Sequence, residues 1–155
     1  MKNLVIGQSG GPTAVINASL YGAVKAFRES GADGHVLGMI NGIEGFLADH
    51  VMDLSTDLSD KELELLKLTP AAYLGSCRYK LPADLDSEVY PAIFDNFREM
   101  NIGYFLYVGG NDSMDTVDKL SRYAEKIGSD VKFIGIPKTI DNDLMITDHT
   151  PGFGS

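Results

Sequence analysis

Two patterns of apolar and polar positions alternate along the chain. Short apolar, β-rich runs stand at residues 3–7, 35–40, 104–108 and 132–136. Between them apolar residues recur at helical spacing. Ile16, Leu20, Ala23, Val24 and Phe27 share one face, and Gly31 follows as a helix stop. Glu62 comes three residues after Ser59, a capping box that opens a short second helix. A third helix is predicted from about residue 86 to 100, with Val89, Ile93, Phe97 and Met100 inward. A fourth is predicted over residues 113–127, with Met114, Val117, Leu120, Ala124 and Ile127 inward. Strands separated by helices imply βαβ units, joined by right-handed crossovers into a parallel sheet covered on both faces. The expected fold is a three-layer α/β sandwich with a mostly parallel, Rossmann-like sheet and helices on both sides. Residues 75–84, with Arg78 and Lys80, read as a loop.

Composition narrows the function classes. The 155 residues carry 22 acidic and 13 basic side chains, a formal charge of −9. That balance disfavours a nucleic-acid backbone or an anionic membrane as partner. It leaves room for a small anion in a local pocket. The length suits one domain with a full core. A single cysteine, Cys77, excludes an intramolecular disulfide and fits a reducing compartment. No apolar run approaches the ~20 residues of a membrane helix, and no basic region precedes a signal-like core. A soluble, cytoplasmic protein is expected. Residues 148–155 end on turn formers and the cap of another helix, which reads as a fragment of a longer protein.

The 17 glycines cluster where strands end. The first strand leads into Gly7-Gln8-Ser9-Gly10-Gly11-Pro12-Thr13, the third into Gly109-Gly110-Asn111-Asp112-Ser113, and the fourth into Pro137-Lys138-Thr139-Ile140-Asp141-Asn142-Asp143. In an open parallel sheet ligands bind beyond the carboxyl ends of the strands, so these loops converge on one site. Paired glycines let backbone N–H groups approach an anion, and a following helix N-terminus adds its dipole. Neither glycine loop is a Walker A sequence or a dinucleotide fingerprint, and plain turn geometry explains each alone equally well. The acidic loop says more. Asp141 and Asp143, two apart in an extended loop, would point to one side. One carboxylate can take a proton from a hydroxyl, the other can help to hold a metal, and Lys138 can meet a phosphoryl oxygen. Its bland alternative is a solvated turn with a Lys–Asp pair. Together the three loops supply what phosphoryl transfer needs: positioning, positive charge, a metal and a base.

These residues resemble the phosphofructokinase family. The resemblance rests on residues 9–18 (Ser-Gly-Gly-Pro-Thr-Ala-Val-Ile-Asn-Ala), Gly75-Ser76-Cys77-Arg78, Gly109-Gly110-Asn111-Asp112-Ser113, residues 137–143 and the closing Pro151-Gly152-Phe153-Gly154-Ser155. It implies that residues 1–155 form the N-terminal, phosphoryl-donor-binding domain of a longer enzyme, a homodimer or homotetramer. The implied reaction is the glycolytic phosphorylation of fructose 6-phosphate at its 1-hydroxyl, with Mg²⁺. By resemblance Asp141 is the catalytic base, and Thr139 and Asp143 bind the sugar phosphate or organise the metal. Gly10 and Gly11 meet the donor, and Arg78 reaches the transferred phosphate. Members that use ATP usually carry glycine where this chain has Asp112 and Lys138, and members that use inorganic pyrophosphate resemble it at both. A carboxylate at Asp112 would repel an ATP α-phosphate, and Lys138 would add charge at the transferred group. Ile43 lacks the ring that stacks on adenine in some ATP users. The implied donor is therefore pyrophosphate. Asn111 departs from the family's usual metal-site aspartate, which leaves Asn111 and Asp112 as the metal candidates. The first loop also reads Pro-Thr-Ala-Val where many members have a Pro-Gly step.

Three other readings compete. Gly7-Gln8-Ser9-Gly10-Gly11 fits a nucleophile elbow, with Ser9 as nucleophile and Asp143 or Asp148 and His149 downstream. It lacks the upstream strand loop that supplies the second oxyanion donor. The chain by itself is alternatively a non-catalytic phosphate- or sugar-phosphate-binding unit. The third reading keeps the chemistry and uses ATP. His35 is expected at a strand start, His50 in a surface turn and His149 in solvent, with Cys77 as a small filler.

Overall fold

Each strand predicted from the sequence forms, within two residues of its expected limits. The computed structural model describes residues 2–154; Ser155, which closes the last motif, lies outside the described residues. In chain order the elements are β1 (Asn3–Gln8), α1 (Ile16–Glu29), β2 (Val36–Met39), α2 (Gly42–Leu47), β3 (Val51–Asp53), α3 (Asp60–Leu66), α4 (Val89–Glu99), β4 (Ile102–Gly109), α5 (Asn111–Ile127) and β5 (Lys132–Pro137). The sheet runs β3-β2-β1-β4-β5. β1 pairs in parallel with β2 and β4, and β4 in parallel with β5. β3 returns antiparallel to β2, so the sheet is mixed at that edge.

Alternation along β1 and β4 builds both layers. Leu4, Ile6, Leu106 and Val108 face α1 and α3, where Ile16, Leu20, Val24, Leu63 and Leu66 complete one core. Val5, Phe105 and Tyr107 face the other side and pack against Phe46 of α2, Ile93 and Phe97 of α4 and Leu120 of α5. Removing each such side chain from water contributes about 1.5–3 kcal/mol. The helical stripes read from the sequence supply these faces, with one correction. Ile127, expected inward, is 44% exposed, because the chain turns away at Gly128, whose φ of 68° caps the helix in the left-handed region. Gly31 takes the same role after α1, at φ 69°. Ser59 and Glu62 form the expected capping box of α3.

α2 and β3 were not expected. β3 has only three residues, too few to show an alternation. α2 has six and starts from Asn41 in the left-handed region, without a side-chain cap. No helix among the described residues is long and apolar enough to cross a membrane.

The strand order fixes where a ligand can sit. The chain moves from β1 to β2 on one side, then crosses back to place β4 on the other side of β1. The connections leaving β1 and β4 therefore part in opposite directions, and a crevice opens beyond their carboxyl ends.

Candidate active site

All three glycine- and aspartate-rich loops meet in that crevice. They line a cleft of about 650 Å³ formed by residues 9–13, 77–80, 110–113, 138–141 and Asp143. Nine of the residues singled out from the sequence lie on it, Gly10, Gly11, Arg78, Asn111, Asp112, Lys138, Thr139, Asp141 and Asp143, whereas Ile43, Asp148 and His149 are not among its lining residues.

The glycine-rich side of the cleft is built of backbone. β1 continues through the Ser9 N–H, which donates to Val108 O at 2.9 Å. The chain then breaks from the sheet at Gly10, at φ 76°. Across the crevice Gly110 is the N-cap of the 17-residue α5, in extended conformation and with no side chain capping it. The first turn of that helix therefore presents N–H groups and a positive dipole end toward the cleft. Gly109 permits the closeness: a Cβ there would stand 3.0 Å from Ser9 O and against the Ser113 side chain.

Lys138 rises from the floor. The residue is only 4% exposed, and its ammonium donates to Gly11 O. No carboxylate pairs with it among the described residues. Burial holds its pKa below the ordinary lysine range. A buried cation whose one partner is a carbonyl is suited to an anion that enters the cleft.

The acidic loop is a turn rather than the extended segment expected. Asn142 sits at φ 53°, so Asp141 and Asp143 reach the cleft through a reversal of the chain. Thr139 Oγ1 accepts from Asp141 N–H at 3.0 Å, a local turn bond. Thr139 N–H donates to Pro151 O at 2.9 Å. Thr150 N–H donates to Asn142 Oδ1 at 2.9 Å, and Asn142 Nδ2 donates to Asp148 O at 3.0 Å. Residues 148–151 thus brace the loop that carries both aspartates. Asn142 and Thr150 carry this bracing, and nothing in their spacing announced it.

Two cross-links tie the cleft walls. Asn111 Nδ2 donates to Asp143 Oδ2 at 2.8 Å. Lys80 Nζ lies 3.2 Å from Asp112 Oδ1, both largely exposed. Lys80, in a loop whose spacing carries no signal, is a cation of the cleft. Ser9 has no nucleophile geometry: it is 8% exposed and its hydroxyl donates to Cys77 O at 3.1 Å. His149 lies against the Phe153 ring instead, with centroids 5.4 Å apart. The elbow reading is therefore overturned. Cys77 is buried, as a filler should be.

For Mg²⁺ the donor set fits the way that ion is commonly held, by one or two carboxylates plus substrate phosphates. Asp141, Asp143 and Asp112 all line the cleft. Among the described residues no group of three or more His, Cys, Asp or Glu side chains forms an all-protein cage.

Comparisons with known proteins agree with this architecture. The family described as Phosphofructokinase matches residues 3–155. A pyrophosphate–fructose 6-phosphate 1-phosphotransferase of Halomonas elongata is 46% identical over 99% of this chain and 37% of its own length. One from Rhodospirillum rubrum is 44% identical over 98% of this chain and 36% of its own. The solved pyrophosphate-dependent phosphofructokinase of Nitrosospira multiformis superposes with a TM-score of 0.91 at 44% identity, over 99% of this chain and 38% of that one. The chain thus spans little more than a third of the length of these relatives. On this likeness, which runs through every loop of the cleft, the chain belongs to the phosphofructokinase family.

Proposed function

We propose that the cleft serves transfer of a phosphoryl group from inorganic pyrophosphate to the 1-hydroxyl of fructose 6-phosphate. The observation that carries the choice of donor is Lys138: a buried ammonium bonded to Gly11 O and paired with no carboxylate among the described residues. Together with Asp112 at the start of α5 it makes a short, highly charged space. That space suits a compact diphosphate better than a nucleotide.

In this reading the α5 N-terminus and the Gly10–Gly11 backbone hold the donor, with Lys138 against the group being transferred and Arg78 reaching it from the facing loop. Asp141 accepts the proton of the sugar 1-hydroxyl as its oxygen bonds to phosphorus. The bridging P–O bond breaks and inorganic phosphate leaves. Thr139 and Asp143 hold the sugar phosphate or the metal. Mg²⁺ neutralises phosphate charge when bound; Asp143, Asp112 and the Asn111 amide oxygen are the residues to hold it on this chain. The product is fructose 1,6-bisphosphate, and the reaction belongs to glycolysis in the cytoplasm. A homodimer or homotetramer is the proposed assembly. The direct test of the donor assignment is Lys138→Met, assayed in the protein as its gene encodes it. Loss of pyrophosphate-dependent turnover is expected, and unchanged turnover contradicts the assignment.

A further inference from the structure

The two loops that face each other over the donor side are clasped by reciprocal hydrogen bonds. Ser9 Oγ donates to Cys77 O at 3.1 Å, and Ser76 Oγ donates to Gly10 O at 2.8 Å. The partners lie 68 and 66 residues apart in sequence. Behind the clasp sit two fully buried amides. Gln8 Oε1 accepts from Leu74 N–H, and Asn17 Oδ1 accepts from Tyr73 N–H, both at 2.9 Å. Asn17 Nδ2 donates to Thr69 O and Ala71 O at 2.8 and 2.7 Å. Segment 69–77 is therefore bolted to the end of β1 and the start of α1.

The clasp has a consequence for the Gly10–Gly11 peptide. A trans peptide points its C=O and N–H in opposite directions. Gly10, at φ 76°, has the conformational freedom to let that peptide turn either way. Ser76 holds the carbonyl, so the Gly11 N–H is directed to the opposite side. Neither Gly10 N–H nor Gly11 N–H donates a hydrogen bond among the described residues, and both glycines line the cleft. The next carbonyl, Gly11 O, is held by Lys138.

Resting on the pyrophosphate reading above, we infer that Ser76 is a positioning residue: its hydroxyl fixes the Gly10–Gly11 peptide so that the Gly11 N–H donates to a donor phosphate oxygen. Ser76 is itself exposed, and the bond to Gly10 O is its one side-chain hydrogen bond among the described residues. Its role is therefore separable from the stability of the fold.

The test is steady-state kinetics of Ser76→Ala and Ser76→Thr in the protein as its gene encodes it, with pyrophosphate and fructose 6-phosphate varied in turn. Losing an oriented hydrogen bond should raise the KM for pyrophosphate about fivefold. The KM for the sugar phosphate and the melting temperature should stay at wild-type values. Ser76→Thr, which keeps the hydroxyl, should restore the wild-type KM. Hydrogen exchange of the Gly11 amide should slow on adding inorganic pyrophosphate in wild type, and less in Ser76→Ala. An unchanged KM for pyrophosphate in Ser76→Ala overturns the inference while leaving the functional reading intact. A parallel fall of all kinetic constants with the melting temperature overturns it too, as a merely structural effect. If wild type neither turns over nor binds pyrophosphate, the functional reading fails, and this inference with it.

Discussion

Asn111 donates its side-chain amide to Asp143 at 2.8 Å, joining the first turn of α5 to the loop beyond β5. The bond closes one wall of the cleft without adding charge, where an aspartate would put two carboxylates in contact. Asn111→Asp should therefore lower the melting temperature in a chelator by about 2–4 °C, the shift that roughly 1 kcal/mol makes in a domain of this size. Millimolar Mg²⁺ should restore it, because paired carboxylates with an added cation become a site. Thermal melts with and without Mg²⁺ decide this; a variant whose melt ignores Mg²⁺ removes Asn111 and Asp143 from the metal candidates.

Lys138 sets its proposed role against the stability of the fold. Burial lowers its pKa in the folded chain. Between that lowered value and the ordinary lysine value the unfolded chain binds more protons, so folding stability gains as pH rises through this window and is lost as pH falls through it. Lys138→Met removes the buried charge. It should raise the ligand-free melting temperature at neutral pH, with the gap to wild type closing as pH climbs toward the ordinary lysine range. Melts across neutral to alkaline pH read the effect. A variant less stable than wild type at neutral pH would mean that the bond to Gly11 O outweighs the cost of burial.

Asp112 and Lys138 together carry the donor argument. Asp112→Gly with Lys138→Gly should cut pyrophosphate-dependent turnover by about 10²–10³-fold, the scale of losing a charge-stabilising group at a transition state. Intact turnover in the double variant would show that these side chains do not choose the donor.

Asp141→Asn keeps the side chain's shape and its place on the cleft, and removes the proposed proton acceptor. A fall in kcat of about 10²–10⁴-fold with little change in either KM is the expected signature of a lost general base. Equal losses in KM for the sugar would reassign Asp141 to binding.

Much of this architecture is legible in the chain because the signals are local. The continuous apolar runs of β1 and β4 mark strands buried on both faces, and the stripe in α5 shows its buried face up to Ile127. The glycine pairs beside strand ends mark the cleft in the sequence itself. What stays hidden depends on partners far off in sequence. β3 is three residues held by β2. Ser76 and Lys80 belong to a loop without periodicity, and their places come from Gly10 O and Asp112. Asn142 takes a left-handed turn that converts an apparently extended acidic run into a reversal, and Thr150 braces it from eight residues away.

The central claim is that this cleft takes pyrophosphate. Its most direct test is formation of fructose 1,6-bisphosphate from fructose 6-phosphate and Mg²⁺ by the protein as its gene encodes it, with pyrophosphate or ATP as sole donor. The account predicts turnover with pyrophosphate and none with ATP. Turnover with ATP alone would contradict it, leaving Asp141 as the base and removing Asp112 and Lys138 as the residues that select the donor.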